Sequence, residues 1–102
     1  MTTLRLTLSK KPFEVMVTGE KNIEYRRVSQ WIVSRLFDKQ GKPREYDTIE
    51  FVNGYGKDRP RFTVVYKGFT LLDSVNETFS NGLNVIVTEP VYAIHCGEII
   101  LD

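Results

Sequence analysis

The sequence predicts an α+β fold: one domain, residues 1–102, built around a small β-barrel of about five to six strands. Its 102 residues suit a single core, and a content of 41% hydrophobic and 12% aromatic residues excludes general disorder. Two helical patterns lie within residues 1–44, whereas the alternation that marks strands dominates the remainder. So much strand in a short chain favours a closed or nearly closed barrel, because closure removes exposed edges.

Residues 1–44 are predicted to alternate strand and helix. Apolar and polar residues alternate over residues 4–8, as in a strand with one buried face. Ser9 can cap a short first helix, and Gly19 ends it because glycine accepts the positive φ of a helix terminus. Residues 22–27 alternate again and predict the second strand.

A second helix is predicted to begin after its N-cap, Ser29, and to end at Gly41. Its apolar stripe at helical spacing includes Ile32 and Leu36, with Trp31 at the edge of the stripe. Residues 39–44 follow as a polar, basic loop.

The later residues predict four strands. Segments 47–52 and 61–72 are joined by a turn-rich loop, 53–60, that contains an Asn-Gly turn signal, and Gly68 is a candidate bulge. Residues 73–82 are expected to hold one helical turn or none. Residues 84–88 and 92–101 supply the last two strands.

The net charge of +1 conceals a division along the chain. Residues 1–44 hold ten Lys or Arg and four Asp or Glu, a balance of +6, while residues 45–102 hold four and nine, a balance of −5. The basic half contains both predicted helices. The division predicts a modest, salt-sensitive affinity for an anion that is local to one part of the fold.

The composition excludes several classes of site. One cysteine and one histidine cannot form an internal disulfide or the usual Cys/His zinc site, and we expect no cofactor and no metal, although a carboxylate site for a hard cation stays open. No apolar run approaches the roughly 20 residues that span a bilayer, and the first residues lack the apolar region of a signal peptide. A cytoplasmic protein without a membrane partner is therefore expected.

The most specific stretch of the sequence carries the pattern G-x-K-x-x-E-x-R, filled by Gly19, Lys21, Glu24 and Arg26. Glu24 and Arg26, two apart on a strand, share a face, and Lys21 lies just beyond the helix end. Two cations can therefore flank one carboxylate and together bind an anion or a base edge. The same spacing also fits a solvated strand face with a weak ion pair, worth about 0–1 kcal/mol.

The pattern, placed between a first helix and a second strand, resembles the signature of ASCH (activating signal cointegrator homology) domains of the PUA-like superfamily. Small free-standing members, many from phages and prophages, have similar segments over essentially the whole chain. The matching segments are residues 6–13, 30–32, 51–56 and 92–100.

The resemblance implies binding of RNA or of a modified nucleotide in a basic cleft between the first helix and the barrel. Lys21 and Arg26 would neutralise phosphate or polar base groups, and Glu24 would orient Arg26 or accept from a base amino group. The other candidate binding residues are Lys10, Lys11, Asn53 and Tyr55.

Aromatic side chains can stack on unpaired bases. For Tyr25 and Trp31 we expect core packing instead. Tyr55 lies on a glycine-rich loop, where a role in base stacking and a plain hairpin turn without a binding role are equally expected. The sequence does not fix the RNA sequence or the oligomeric state.

The sequence leaves catalysis undecided, with Lys21 the best catalytic candidate. One branch of the family hydrolyses acetylcytidine with a Lys, a Thr three residues later and a downstream acid. Lys21 matches the first, but Glu24 stands where that branch has Thr, and neither Asp73 nor Glu77 can be aligned with the acid.

A metal-independent ribonuclease is a second enzymatic alternative, with His95 as a general base by its pKa. For His95 we expect packing on a strand instead, and for Cys96 a small core side chain. A third alternative is a small phage-type protein that binds a host protein.

Overall fold

The computed structural model describes residues 2–101, which form two helices and seven strands. Both helices lie in the first part of the chain, as predicted. The elements follow in the order β1 (Thr3–Leu8), α1 (Lys10–Val17), β2 (Ile23–Arg27), α2 (Gln30–Leu36), β3 (Thr48–Asn53), β4 (Arg61–Leu72), β5 (Val75–Thr78), β6 (Asn84–Val87) and β7 (Val91–Ile100).

Five of the strands form one curled sheet in the order β1-β3-β4-β7-β2, and β5 and β6 pair as a separate hairpin. β1 runs parallel to β3, and the other neighbours are antiparallel. The α+β barrel-like fold is confirmed, but the sheet is a half-barrel whose edge strands, β1 and β2, do not pair. A side chain spans their gap: Arg26 Nη2 on β2 donates to the Thr7 carbonyl on β1 over 2.9 Å.

The core fills the concave side of this sheet. The alternation predicted for β1 is observed, because Leu4, Leu6 and Leu8 are buried while Arg5 is exposed. Both helices contribute apolar side chains to the core. Its buried members are Leu4, Leu6, Leu8, Met16, Ile32, Leu36, Ile49, Phe51, Val64, Tyr92 and Ile94.

The predicted end of the second helix at Gly41 is wrong, because α2 ends at Leu36. The side chain of Asp38 accepts the backbone N–H groups of Gln40 and Lys42, both at 2.9 Å. This local bonding competes with the helix and folds the following residues into a turn. The predicted cap is confirmed, since Ser29 Oγ accepts the N–H of Ile32 at 3.2 Å.

The segment predicted to hold a helical turn or none contains β5 instead. Val75 pairs with Val87 and Thr78 with Asn84, so the segment becomes one arm of the β5–β6 hairpin. Its β-branched residues favour this extended backbone. The bulge predicted at Gly68 is confirmed by a register shift between β4 and β7 and by a φ of +88°.

Candidate functional site

The end of α1 and the strand β2 bring the motif side chains together. α1 ends at Val17, and the N–H of Gly19 donates to the Met16 carbonyl at 3.0 Å, as the glycine stop predicts. The backbone N–H of Lys21 then bonds the Val15 carbonyl at 3.1 Å, which turns the chain back toward the sheet. Lys21 therefore enters the protein beside β2 and is only 4% exposed.

Lys21, Glu24 and Arg26 form a buried chain of two ion pairs, which we call the ion cluster. Glu24 Oε1 accepts from Lys21 Nζ at 3.1 Å, and Glu24 Oε2 accepts from Arg26 Nε at 2.9 Å. The carboxylate side chain is 8% exposed. A solvated strand face is thereby contradicted, because Glu24 is enclosed by both cations.

Lys21 has little capacity left for a ligand. Besides Glu24, its ammonium donates to the Ile23 carbonyl, lies 3.8 Å from Met16 Sδ and sits 5.3 Å from the centre of the Tyr25 ring. Its side chain is 3% exposed. Lys21 thus holds Glu24 in place, and the predicted direct contact between its ammonium and a phosphate does not fit this geometry.

Arg26 is the member of the ion cluster that reaches solvent, with 26% of its side chain exposed. Its Nε and Nη2 are engaged by Glu24 and by the Thr7 carbonyl. Among the bonds within residues 2–101, none uses Nη1. Two cations against one carboxylate leave an excess of one positive charge, and the unused N–H groups of Arg26 present it.

A cleft of about 300 Å³ opens over the ion cluster. Its walls are the end of β1, the first turn of α1, the strand β2 and one residue of β6. The lining residues are Thr7, Leu8, Ser9, Pro12, Lys21, Glu24, Tyr25, Arg26 and Val85. Ser9 precedes α1 as predicted, but its side chain forms no capping bond, and the residue lines this cleft.

Side-chain hydrogen bonds hold the β5–β6 hairpin against the cleft. The Tyr25 hydroxyl donates to Glu77 Oε1, and the Ser80 N–H donates to Glu20 Oε2 at 2.8 Å. Burial, followed by the Glu77 carboxylate, raises the pKa of Tyr25. The two bonds from Ser80 lower the pKa of Glu20 from its usual 4.5.

The remaining candidate residues lie outside the cleft. Lys10 is exposed and 3.9 Å from Glu14, and the Lys11 carbonyl accepts from Asn81 of the hairpin at 3.0 Å. The Asn53 carbonyl accepts from Arg59 Nε at 2.8 Å and so braces its loop. None of these residues lines the cleft.

The expected core packing of Trp31 is wrong. Its side chain is 47% exposed on α2, and the Arg35 guanidinium lies 5.0 Å from the ring centre. Tyr25 is half-buried and lines the cleft, so the expected core packing describes this residue only in part. Tyr55 is 89% exposed, at the tip of the loop between β3 and β4.

The other candidates for acid–base chemistry do not line the cleft. His95 Nε2 lies 3.1 Å from the Thr70 hydroxyl across β4 and β7, which agrees with packing on a strand. Burial and the nearby Glu24 carboxylate raise the pKa of the Cys96 thiol to about 12, so the thiol is a poor nucleophile at neutral pH. Glu77 accepts a hydrogen bond from Tyr25, which lines the cleft, and the position of Glu77 in the sequence did not indicate this contact.

Folding reduces the charge division between the two halves of the chain. Glu50 and Glu89, both from the acidic half, lie 3.3 Å from Arg5 and Arg27 of the basic half. Within residues 2–101 no three His, Cys, Asp or Glu side chains group closely enough to hold a metal ion. No helix in the described part of the chain is long and apolar enough to cross a membrane.

Comparison with known proteins adds no relative: no family model, no curated protein and no solved structure matches this chain. The site is therefore defined by its own chemistry. It is a small, half-polar cleft with a positive guanidinium on its floor, an aromatic ring on its wall and a hairpin along one side.

Proposed function

We propose that this chain is an ASCH domain of the small phage or prophage type and binds RNA or a modified nucleotide in the cleft over the ion cluster. The observation that carries the proposal is the hydrogen bonding of the Arg26 guanidinium, which is held in place by part of its donors and, within the described residues, keeps the others free. Glu24 and Thr7 fix its guanidinium at the cleft floor, while its Nη1 edge has no partner within residues 2–101. A fixed guanidinium with free donors matches phosphate oxygens and the acceptor atoms of a base edge.

The surroundings of Arg26 support a nucleotide over a simple inorganic anion. Tyr25 offers an aromatic ring on the cleft wall, and Pro12 and Val85 offer apolar surface. A nucleotide combines a charged phosphate with a flat apolar base, so it can use both kinds of surface. The motif residues and the α+β half-barrel are also what the family resemblance implies.

The geometry favours binding over hydrolysis. An ammonium group that donates to Ile23 and Glu24 has no lone pair with which to attack an amide, so Lys21 is poorly placed as a nucleophile. Incubating the pure protein with acetylated cytidine and with labelled RNA tests this choice. Retention without turnover supports a binder, whereas formation of cytidine or of cleaved RNA would make the protein a hydrolase.

The direct test compares two neighbouring arginines. We expect Arg26→Ala to weaken binding of a fluorescent single-stranded hexaribonucleotide pool by about 10- to 150-fold, the range for losing a hydrogen bond to a charged group. Arg27→Ala is the matched control, because Arg27 is exposed and, within residues 2–101, forms an ion pair with Glu89 alone. Fluorescence anisotropy at low salt measures both variants, and equal affinities would refute the site.

Lys21→Ala is a poor probe of binding, because it removes the buried partner of Glu24 and so threatens the fold. Arg26 is partly exposed, and thermal unfolding of Arg26→Ala shows whether the variant stays folded at the assay temperature. A preparation that carries a stoichiometric protein partner and no nucleic acid would instead support a host-protein-binding role.

A further inference from the structure

The exposed aromatic side chains are concentrated at one place on the surface. Among residues 2–101, Trp31 and Tyr55 are the two aromatic residues with a large exposed fraction, at 47% and 89%. They come from α2 and from the β3–β4 loop, which are separate in sequence. Both nevertheless line the same groove, of about 410 Å³, which we call the aromatic groove.

The aromatic groove adjoins the cleft over the ion cluster. Its lining residues are Arg5, Thr7, Arg26, Trp31 and Tyr55, and two of them, Thr7 and Arg26, also line the cleft. A ligand that contacts Arg26 in the cleft can therefore continue along the outer face of β1 without leaving the surface. The shared position of Arg26 links the two sites physically.

Neighbouring structure contacts the Trp31 side chain and anchors the loop that carries Tyr55. The Arg35 guanidinium lies 5.0 Å from the Trp31 ring centre. The loop of Tyr55 is fixed by a bond of 3.0 Å from the Gly54 N–H to the Leu8 carbonyl. Gly54 has a φ of +81°, which suits glycine. A contacted ring and an anchored loop lose less entropy when a ligand stacks on them.

The charge of the aromatic groove suits a phosphate backbone. Arg5 and Arg26 line it, and Arg35 lies next to Trp31. The acid close to Arg5 is Glu50, at 3.3 Å, in a pair whose arginine side chain is 77% exposed. The Glu50 side chain is 21% exposed and also lies 3.7 Å from Arg61, so it holds the solvated Arg5 weakly and phosphate can compete for Arg5.

We propose that the aromatic groove binds the nucleotides next to the one held in the cleft, so that the ligand is a single-stranded RNA of several nucleotides. This inference rests on the proposed function and extends it. Two bases stack on Trp31 and Tyr55, and Arg5 pairs with the phosphate between the sites. Duplex RNA is excluded as a ligand, because its bases are stacked on one another and have no free faces for these rings.

The test compares ligands of two lengths. We expect hexamers of adenylate, uridylate or cytidylate to bind at least tenfold more tightly than the corresponding nucleoside monophosphates. Trp31→Ala or Tyr55→Ala should each weaken hexamer binding by about 5- to 150-fold, the range measured for one base–aromatic stack, and leave monophosphate binding unchanged. Leu71→Ala, which removes an exposed apolar side chain outside the groove, is the matched control.

Arg5 has a matched control of its own. Both Arg5 and Arg27 are exposed. Arg5 lies 3.3 Å from Glu50, and Arg27 lies 3.3 Å from Glu89. Arg5→Ala should reduce hexamer affinity and its dependence on salt, whereas Arg27→Ala should change neither.

Trp31 also provides a direct signal, because the chain has one tryptophan. Hexamers should quench its fluorescence more strongly than monophosphates do at equal occupancy. Equal affinities for both lengths, with an Arg26-dependent site, would overturn the aromatic groove and leave the cleft intact. Failure of both ligands to bind would overturn the cleft and the aromatic groove together.

Discussion

The ion cluster and the aromatic groove meet at Arg26 but differ in exposure. Lys21 and Glu24 are buried, and their polar atoms are paired within the protein. Trp31 and Tyr55 are about half exposed or more, and their rings face solvent. The comparison teaches that the motif residues fix the position of one guanidinium, while residues outside the motif supply the exposed aromatic side chains.

The largest expected effect is a loss of stability when the buried ion cluster is broken. Glu24→Gln leaves Lys21 buried without its counter-charge and removes an acceptor from Arg26. Removing one partner of a buried pair typically costs about 3–5 kcal/mol. We expect a loss of that size in the free energy of unfolding, measured by urea denaturation.

The control for Glu24 is Glu89→Gln, which breaks the exposed pair with Arg27. Exposed pairs contribute about 0–1 kcal/mol, so this variant should unfold almost as the parent does. Similar small losses in both variants would mean that the ion cluster does not stabilise the fold.

The smallest expected effect concerns the hairpin beside the cleft. The bonds from Ser80 lower the pKa of Glu20 below 4.5, so the folded state favours the ionised carboxylate. The resulting stabilisation is complete well above pH 4.5 and is lost as the pH falls through the lowered pKa. The amide resonance of Ser80 should therefore titrate with a midpoint below pH 4.5.

Glu20→Gln removes the titrating group and should abolish that transition at Ser80 while the rest of the spectrum is preserved. A Ser80 resonance that titrates identically in both proteins would contradict the attachment of the hairpin through Glu20.

Local patterns were sufficient to predict much of the fold. The alternation of β1, the strand β2, the cap at Ser29, the helix stop at Gly19 and the bulge at Gly68 all arise from neighbouring residues, and all are observed. The end of α2 was missed because the side chain of Asp38 competes with helical bonding. β5 was missed because a four-residue strand gives little periodicity.

The site was predictable only in part. Spacing along β2 was enough to group Glu24 with Arg26, and the position just beyond the predicted helix end added Lys21. The contacts of Arg26 with Thr7 and of Tyr25 with Glu77 join residues 19 and 52 positions apart, so no local pattern reveals them. The exposure of Trp31 depends on which face of α2 meets the sheet, and a residue at the edge of an apolar stripe does not decide that.

The most direct test of the central claim is to map RNA contacts on the isotope-labelled protein by amide chemical shifts. Titration with the single-stranded hexaribonucleotide pool should move the resonances of Thr7, Ser9, Tyr25 and Arg26, and Arg26→Ala should suppress these changes. Shifts confined to a separate groove, lined by Val17, Phe62 and Ile99 among others, or no shifts at all, would contradict an RNA site in the cleft.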